Sequence, residues 1–372
     1  MKKVASLLLS SVLVVSLLAG CGSKKAEEPS TTDQSATKTE EAATDTKETE
    51  TATDETTTET ATEGTGAKTG IAINTSIEKS TAAGAEDGLA QIDSTVVAVL
   101  VDADGKILDC KIDAAQTKIN FSAEGKITTD LASEIKSKQE LGADYGMAKA
   151  SSIQKEWNEQ ANAFAAYVVG KTVDEVKGIA VNDEGVATDA DLAASVTIKL
   201  GGYIATIEKA VANAKELGAS NEDKLGLGVN TTINKSTDAT AEAEGLAQAY
   251  SFYEAVTVDA SGKITSAVVD STQGNVNFDT KGAITSDLTA AVQTKQELKE
   301  NYGMKKASAI GKEWYEQADA FAAYVTGKTI DEVKGITVNA EGYAEDADLT
   351  SSVTVHIGPF ITVTEKAVAS AK

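Results

Sequence analysis

Tyr145-Gly146-Met147 and Lys155-Glu156-Trp157 return as Tyr302-Gly303-Met304 and Lys312-Glu313-Trp314, each 157 residues on (145 to 302, 155 to 312). The same offset carries Gly88 to Gly245 and Lys215 to Lys372 without a gap, and slips to 156 only upstream, where Asn74 pairs with Asn230. A self-match of this length marks a duplicated structural unit, so a fold read from one copy is read for both. The boundaries that follow are 69–218 for the first repeat domain and 225–372 for the second, with a short linker near 219–224. Each copy has enough chain to bury a core of its own.

Hydrophobic periodicity then gives the element types. Ile71-Ala72-Ile73-Asn74-Thr75-Ser76-Ile77 alternates like a half-buried strand. Residues 95–102 and 107–113, joined at Asp104-Gly105, read as a hairpin, and 118–121 with a strand from Ile127, joined at Glu124-Gly125, as a second. A helix is expected from Asp130, with Leu131, Ile135 and Leu141 on one face. Another is expected over 151–169, where Ile153, Trp157, Ala161, Phe164 and Val168 share a face and Gly170 stops it. Thr172-Val173-Asp174-Glu175 is a capping box. Residues 195–200 read as a strand and 203–217 as a terminal helix. Strands first and helices after argue for an α+β fold with an antiparallel sheet, made twice.

The N-terminus carries an address. Met1-Lys2-Lys3 precedes an apolar run over 4–18 and then Ala19-Gly20-Cys21, the form of a secretory signal occupying 1–20. Leu18-Ala19-Gly20-Cys21 resembles the lipobox of bacterial lipoprotein precursors. That resemblance implies that Cys21 is lipidated and becomes the first mature residue, anchoring the chain at the extracellular face of a cell membrane. The rest of 21–68 is almost all Thr, Glu, Ala, Asp, Ser and Lys, a composition that predicts a disordered stalk.

Composition excludes several classes of function. The formal net charge is −23, and removal of Lys2 and Lys3 with the signal makes it −25, so neither nucleic acid nor anionic lipid is an expected partner. All 34 basic residues are lysine. With Cys21 spent on lipid, Cys110 has no disulfide partner, and its counterpart Ala267 marks it as a small buried strand residue. The single histidine, His356, is matched by Lys199 and reads as incidental. Haem, zinc, dithiol and serine–histidine chemistry have no residues to rest on.

One repeated segment could carry chemistry. It reads Asp191-Leu192-Ala193-Ala194-Ser195-Val196-Thr197 and, in the second copy, Asp348-Leu349-Thr350-Ser351-Ser352-Val353-Thr354. Each places a carboxylate six residues before a threonine, although Ser-Val-Thr-Ile is also the pattern of a half-exposed strand. The segment resembles the flavinylation motif of FMN-binding domains, with Ser195 and Ser352 in the family's glycine position and Val196 and Val353 in its alanine position. With the lipobox and the acidic stalk, the whole chain is similar to FMN-binding lipoproteins of Gram-positive bacteria. That resemblance implies FMN joined by a phosphoester to Thr197, Thr354 or both, with Asp191, Ser195, Asp348, Ser351 and Ser352 in support. It also implies a flavin transferase and a membrane quinol-oxidising electron donor as partners, and an electron carrier without substrate turnover of its own. The rivals are a non-redox surface module for a peptide, glycan or wall component, and a two-lobed solute receptor. Trp157 and Trp314 read as core, Met147 as core filler, and Lys149 and Lys306 as solvated.

Overall fold

The computed structural model describes residues 66–372; the signal, Cys21 and the stretch read as a stalk up to residue 65 lie outside the described residues. The first copy opens with β1 (Lys68–Ser76), β2 (Gly88–Val101) and β3 (Ile107–Phe121), an antiparallel sheet in the order β1-β2-β3. Asp102 makes the tight connection between β2 and β3. Its Oδ1 accepts from the N–H of Asp104 (2.9 Å) and of Lys106 (2.8 Å), while Gly105 takes φ 81°. Helices follow: α1 (Lys138–Leu141), α2 (Trp157–Val168), α3 (Val173–Lys177), α4 (Ala190–Ala193) and α5 (Gly201–Ala212). The second copy repeats the order as β4 (Lys224–Thr232), β5 (Gly245–Val258), β6 (Ile264–Phe278), α6 (Lys295–Leu298), α7 (Trp314–Val325), α8 (Ile330–Lys334), α9 (Ala347–Thr350) and α10 (Gly358–Ser370). The antiparallel sheets with helices bunched after them are as the sequence predicts.

One face of each sheet is covered by its own helices. In the first copy Val97, Val99 and Ile112 pack with Trp157, Phe164 and Ile207; in the second Phe252, Val256 and Val269 pack with Trp314, Phe321 and Phe360. The terminal helix lies hard against the first strand. A Cβ at Gly70 would fall 2.1 Å from the Ala210 carbonyl oxygen, and one at Gly226 would fall 2.0 Å from that of Ala367. Glycine is required at both positions because the backbones touch.

The other face of each sheet is covered by the other copy. Ile71, Ile73, Val96 and Leu100 meet Leu225, Leu227, Val229 and Tyr253. Toward the far ends of the strands Ile77, Ile92 and Phe121 meet Ile233, Ala249 and Phe278, and the Phe121 and Phe278 rings stack at 4.2 Å and 8°. The layers therefore run helices, sheet, sheet, helices, and the described residues fall within one compact unit. Polar contacts across the seam come in matched pairs. Lys209 pairs with Glu297 and Lys366 with Glu140. The Ala83 N–H donates to the Gly282 carbonyl (2.9 Å), and the Ala239 N–H to that of Gly125 (2.8 Å).

Several local expectations are corrected. β1 is buried on both faces over most of its length, not half-buried, because the second sheet covers the side expected to meet water. The second hairpin is reduced to a single bridge between Phe121 and Ile127. The helix from Asp130 is absent: Asp130 Oδ1 accepts from the Ala132 N–H (3.0 Å), and helix starts only with the four residues of α1, continued by a 3-10 turn over Gly142–Tyr145. Leu131 and Ile135 instead pack on the shared cluster at the seam. α2 begins at Trp157 rather than Ser151, and α5 ends at Ala212 rather than Leu217. Residues 195–200 are not a strand but an irregular link between α4 and α5, as are their counterparts before α10. Cys110 is a buried, free strand residue and His356 is exposed.

Sheet-to-sheet burial makes the copies one cooperative body. Phe278→Ala removes a buried ring from the seam and should cost about 3–5 kcal/mol. Followed by urea unfolding in Trp157→Phe and Trp314→Phe backgrounds, each leaving one tryptophan as reporter, the loss should lower both midpoints together. A midpoint for the first copy that stays put would mean independent units.

Candidate functional site

The second copy holds a cleft of about 740 Å³ between the end of its sheet and its terminal helix, within the range that takes a small organic ligand. Tyr250 and Phe252 of β5 form one wall, Tyr302 and Trp314 another, and Thr354, His356 and Phe360 close it. The rings are locked against one another. Tyr250 and Phe252 lie 4.6 Å apart, Phe360 meets Trp314 edge-on at 5.8 Å and 89°, and Tyr343 packs on His356 at 4.2 Å.

Lys295 is the most unusual group in it. The Thr294 side chain caps α6, and Asp270 Oδ1 accepts from the N–H of Gln296 (3.1 Å), so the first helical residue is aimed inward. Lys295 is 2 % exposed. Its Nζ donates to the Tyr250 hydroxyl (2.5 Å) and stands 4.4 Å from the ring centres of Tyr250 and Tyr302 and 4.9 Å from that of Trp314. Among the described residues it makes no ion pair, so the rings are its counter-charge. Burial pushes the ammonium down to about 7, with the Asp270 carboxylate acting the other way. Asp270 itself is pushed up to about 7 by burial, against its hydrogen bonds from Thr294, Gln296 and Ser271.

The expected site residues separate. Thr354 lines the cleft, whereas Asp348, Ser351 and Ser352 do not. Asp348 and Ser351 are exposed, and the hydroxyls of Ser351 and Ser352 donate back to the carbonyls of Asp348 (2.8 Å) and Leu349 (3.2 Å). In the first copy Asp191 is exposed on α4 and Ser195 half-buried beside it. Both threonines are held by a buried glutamine. Gln317 Oε1 accepts from the N–H (2.7 Å) and hydroxyl (3.3 Å) of Thr354, and Gln160 Oε1 from those of Thr197 (2.8 and 3.1 Å). The Gln317 amide donates onward to Ser308 Oγ (3.1 Å) and the Lys312 carbonyl (3.2 Å), tying two loops to one helix. Neither the glutamines nor Lys295 stand out in the sequence, where one reads as the rim of an amphipathic helix and the other as a solvated first-turn lysine. Trp157 and Trp314 are buried as expected, Met147 packs on the core, and Lys149 and Lys306 are exposed.

The first copy departs where the second is aromatic. Asp93 stands at the Tyr250 position, Thr95 at Phe252, Val186 at Tyr343 and Lys199 at His356. Asp93 is tied up by Lys79 (2.7 Å), Gln91 (2.9 Å) and Gln116 (3.1 Å). Lys138, the counterpart of Lys295, is only half-buried, 4.4 Å from the Tyr145 ring and 5.3 Å from that of Trp157.

Behind the cleft the second copy also buries Glu254 where the first has Val97. Its Oε2 accepts from the Thr364 hydroxyl (2.6 Å) while Oε1 has no partner. Burial pushes the carboxyl up to about 8 against that hydrogen bond. No protein-family model matches this chain, and no curated protein or solved structure does. Among the described residues no group of acidic, His or Cys side chains is arranged to hold a metal, and no helix is long and apolar enough to cross a membrane.

Glu254 gives a signed pH dependence. The fold keeps its proton up to about pH 8, whereas the unfolded chain releases it near 4.5, so folding takes up a proton between those values. Stability should fall as pH rises across that window. Glu254→Gln should flatten the decline in thermal midpoint measured from pH 5 to 8; an unchanged slope would remove Glu254 as its source.

Proposed function

We propose that this chain is a membrane-anchored electron carrier holding FMN in its second copy. In this reading Cys21 carries the lipid, the acidic stretch after it is the tether, and two like domains are displayed outside the membrane. The single observation that carries the reading is Thr354 on the wall of an aromatic cleft of suitable size. The lining suits a flavin ring: half-buried Tyr250, Tyr302 and Tyr343 give an aromatic edge over the buried Phe252 and Trp314, and Ser308 and Lys235 line the same cleft as polar contacts. FMN, when bound, supplies one- and two-electron transfer. Thr354 Oγ1 would bear the phosphate as an ester, formed on the transferase from a flavin dinucleotide whose pyrophosphate bond breaks to release AMP, with the hydroxyl proton, now held by the Gln317 oxygen, passing to a base of the transferase. The transferase would supply the flavin nucleotide, and a quinol-oxidising membrane protein the electrons.

A second reading, a non-redox module presenting the same cleft to a wall component, is favoured by Gln317, which already engages both polar hydrogens of the Thr354 residue. Co-expression with a flavin transferase separates the two. Denatured protein should stay yellow and gain the mass of one FMN less water at Thr354; Thr354→Ala should abolish this and Thr197→Ala should not. A colourless product would sink the carrier reading and leave the binding module.

A further inference from the structure

The chain is strongly acidic, with 57 Asp and Glu residues, yet the second-copy cleft has none in its lining. Its lysines are Lys235 and Lys295. Other grooves in the molecule are different. Those on either side of the seam mix the signs: Asp270, Glu297 and Asp319 with Lys209, Lys215 and Lys299 in one case, and Asp109 and Asp113 with Lys111 and Lys372 in the other. Of these grooves, the second-copy cleft is the one whose lysines are not matched by an acid in the lining, which favours an anion there.

Lys295 sharpens the point. Burying an ammonium without an ion-pair contact is unfavourable, and three aromatic rings with the Asp270 carboxylate beyond contact distance offset that only in part. Such a group has unused capacity for a negative charge brought in by a ligand, and flat rings on either side limit what can bring it. The first copy has changed in the opposite sense. Glu78 and Asp93 stand where Asn234 and Tyr250 stand in the second, adding two acids, and the rings of Phe252 and Tyr343 are lost to Thr95 and Val186.

We propose that the second-copy cleft alone is a binding site for planar aromatic anions, with Lys295 reading the charge and the first copy serving as its scaffold. This deepens the ligand class of the flavin reading and rests on the same cleft, but it needs neither a covalent bond nor redox chemistry.

The test uses the full chain made without a flavin transferase. Anthraquinone-2-sulfonate is the anionic probe and 2-(hydroxymethyl)anthraquinone its neutral counterpart, each followed by quenching of Trp314 in a Trp157→Phe background. One sulfonate per chain should bind, at least tenfold tighter than the neutral ring. Lys295→Met should abolish that tenfold preference while leaving the neutral ring within about twofold, and Lys295→Arg should keep it. Urea midpoints of both variants check that they fold; should Lys295→Met not fold, the arginine variant and the wild-type preference decide. Equal binding of both probes, two equivalent sites per chain, or a preference surviving Lys295→Met would overturn the proposal. Flavin found on Thr354 alongside any of these outcomes would leave the carrier reading standing and this one fallen.

Discussion

Each three-stranded sheet in this molecule has two apolar faces and only one set of helices to cover them. A sheet with an apolar face turned to water is not a stable arrangement, and here the remedy is the other copy. Burying Ile71, Ile73, Val96 and Leu100 against Leu227, Val229 and Tyr253 contributes about 1.5–3 kcal/mol for each large side chain enclosed. Everything else follows from that face-to-face contact. The helices are driven to the outer surfaces, the terminal helix is pressed so close to the first strand that Gly70 and Gly226 cannot carry a Cβ, and the aromatic cleft opens at the end of a sheet backed by the other copy.

That constraint also explains what was legible beforehand. The antiparallel sheets, the tight Asp102–Gly105 connection and the Thr172 capping box are local, and their residues announce them. The seam is not local. Ile71-Ala72-Ile73 read as one buried and one wet face because nothing in a single strand says that a second sheet will cover the other side. Leu131 and Ile135 stand at helical spacing by coincidence, since both reach for the seam while the backbone turns at Asp130 before them and the helix starts only after the Ser137 cap.

The candidate site was half-visible for a related reason. Thr354 was found because a repeated motif contains it. Lys295 and Gln317 are shared with the first copy as Lys138 and Gln160, but nothing local marks a lysine or a glutamine as buried, and Tyr250 is hidden because it has no aromatic counterpart in the repeat. The informative positions are those where the copies differ: Asp93 against Tyr250, Thr95 against Phe252, Val97 against Glu254. A strand substitution from Asp to Tyr changes both charge and shape, and three such changes at alternate positions on one strand face point to a surface with a new task.

The matched contacts across the seam, Lys209 with Glu297 and Lys366 with Glu140, describe a two-fold relation inside a single chain. A dimer of separate subunits with this geometry must apply every mutation to both sides at once, and its halves can exchange with other molecules in the cell. Joining them by the few residues before β4 removes both restrictions. One half is then free to drift toward a polar, structural surface while the other specialises, and no subunit mixing can average the difference away. The seam keeps its symmetry because it must fit, and the outer ends of the sheets have lost theirs because they need not.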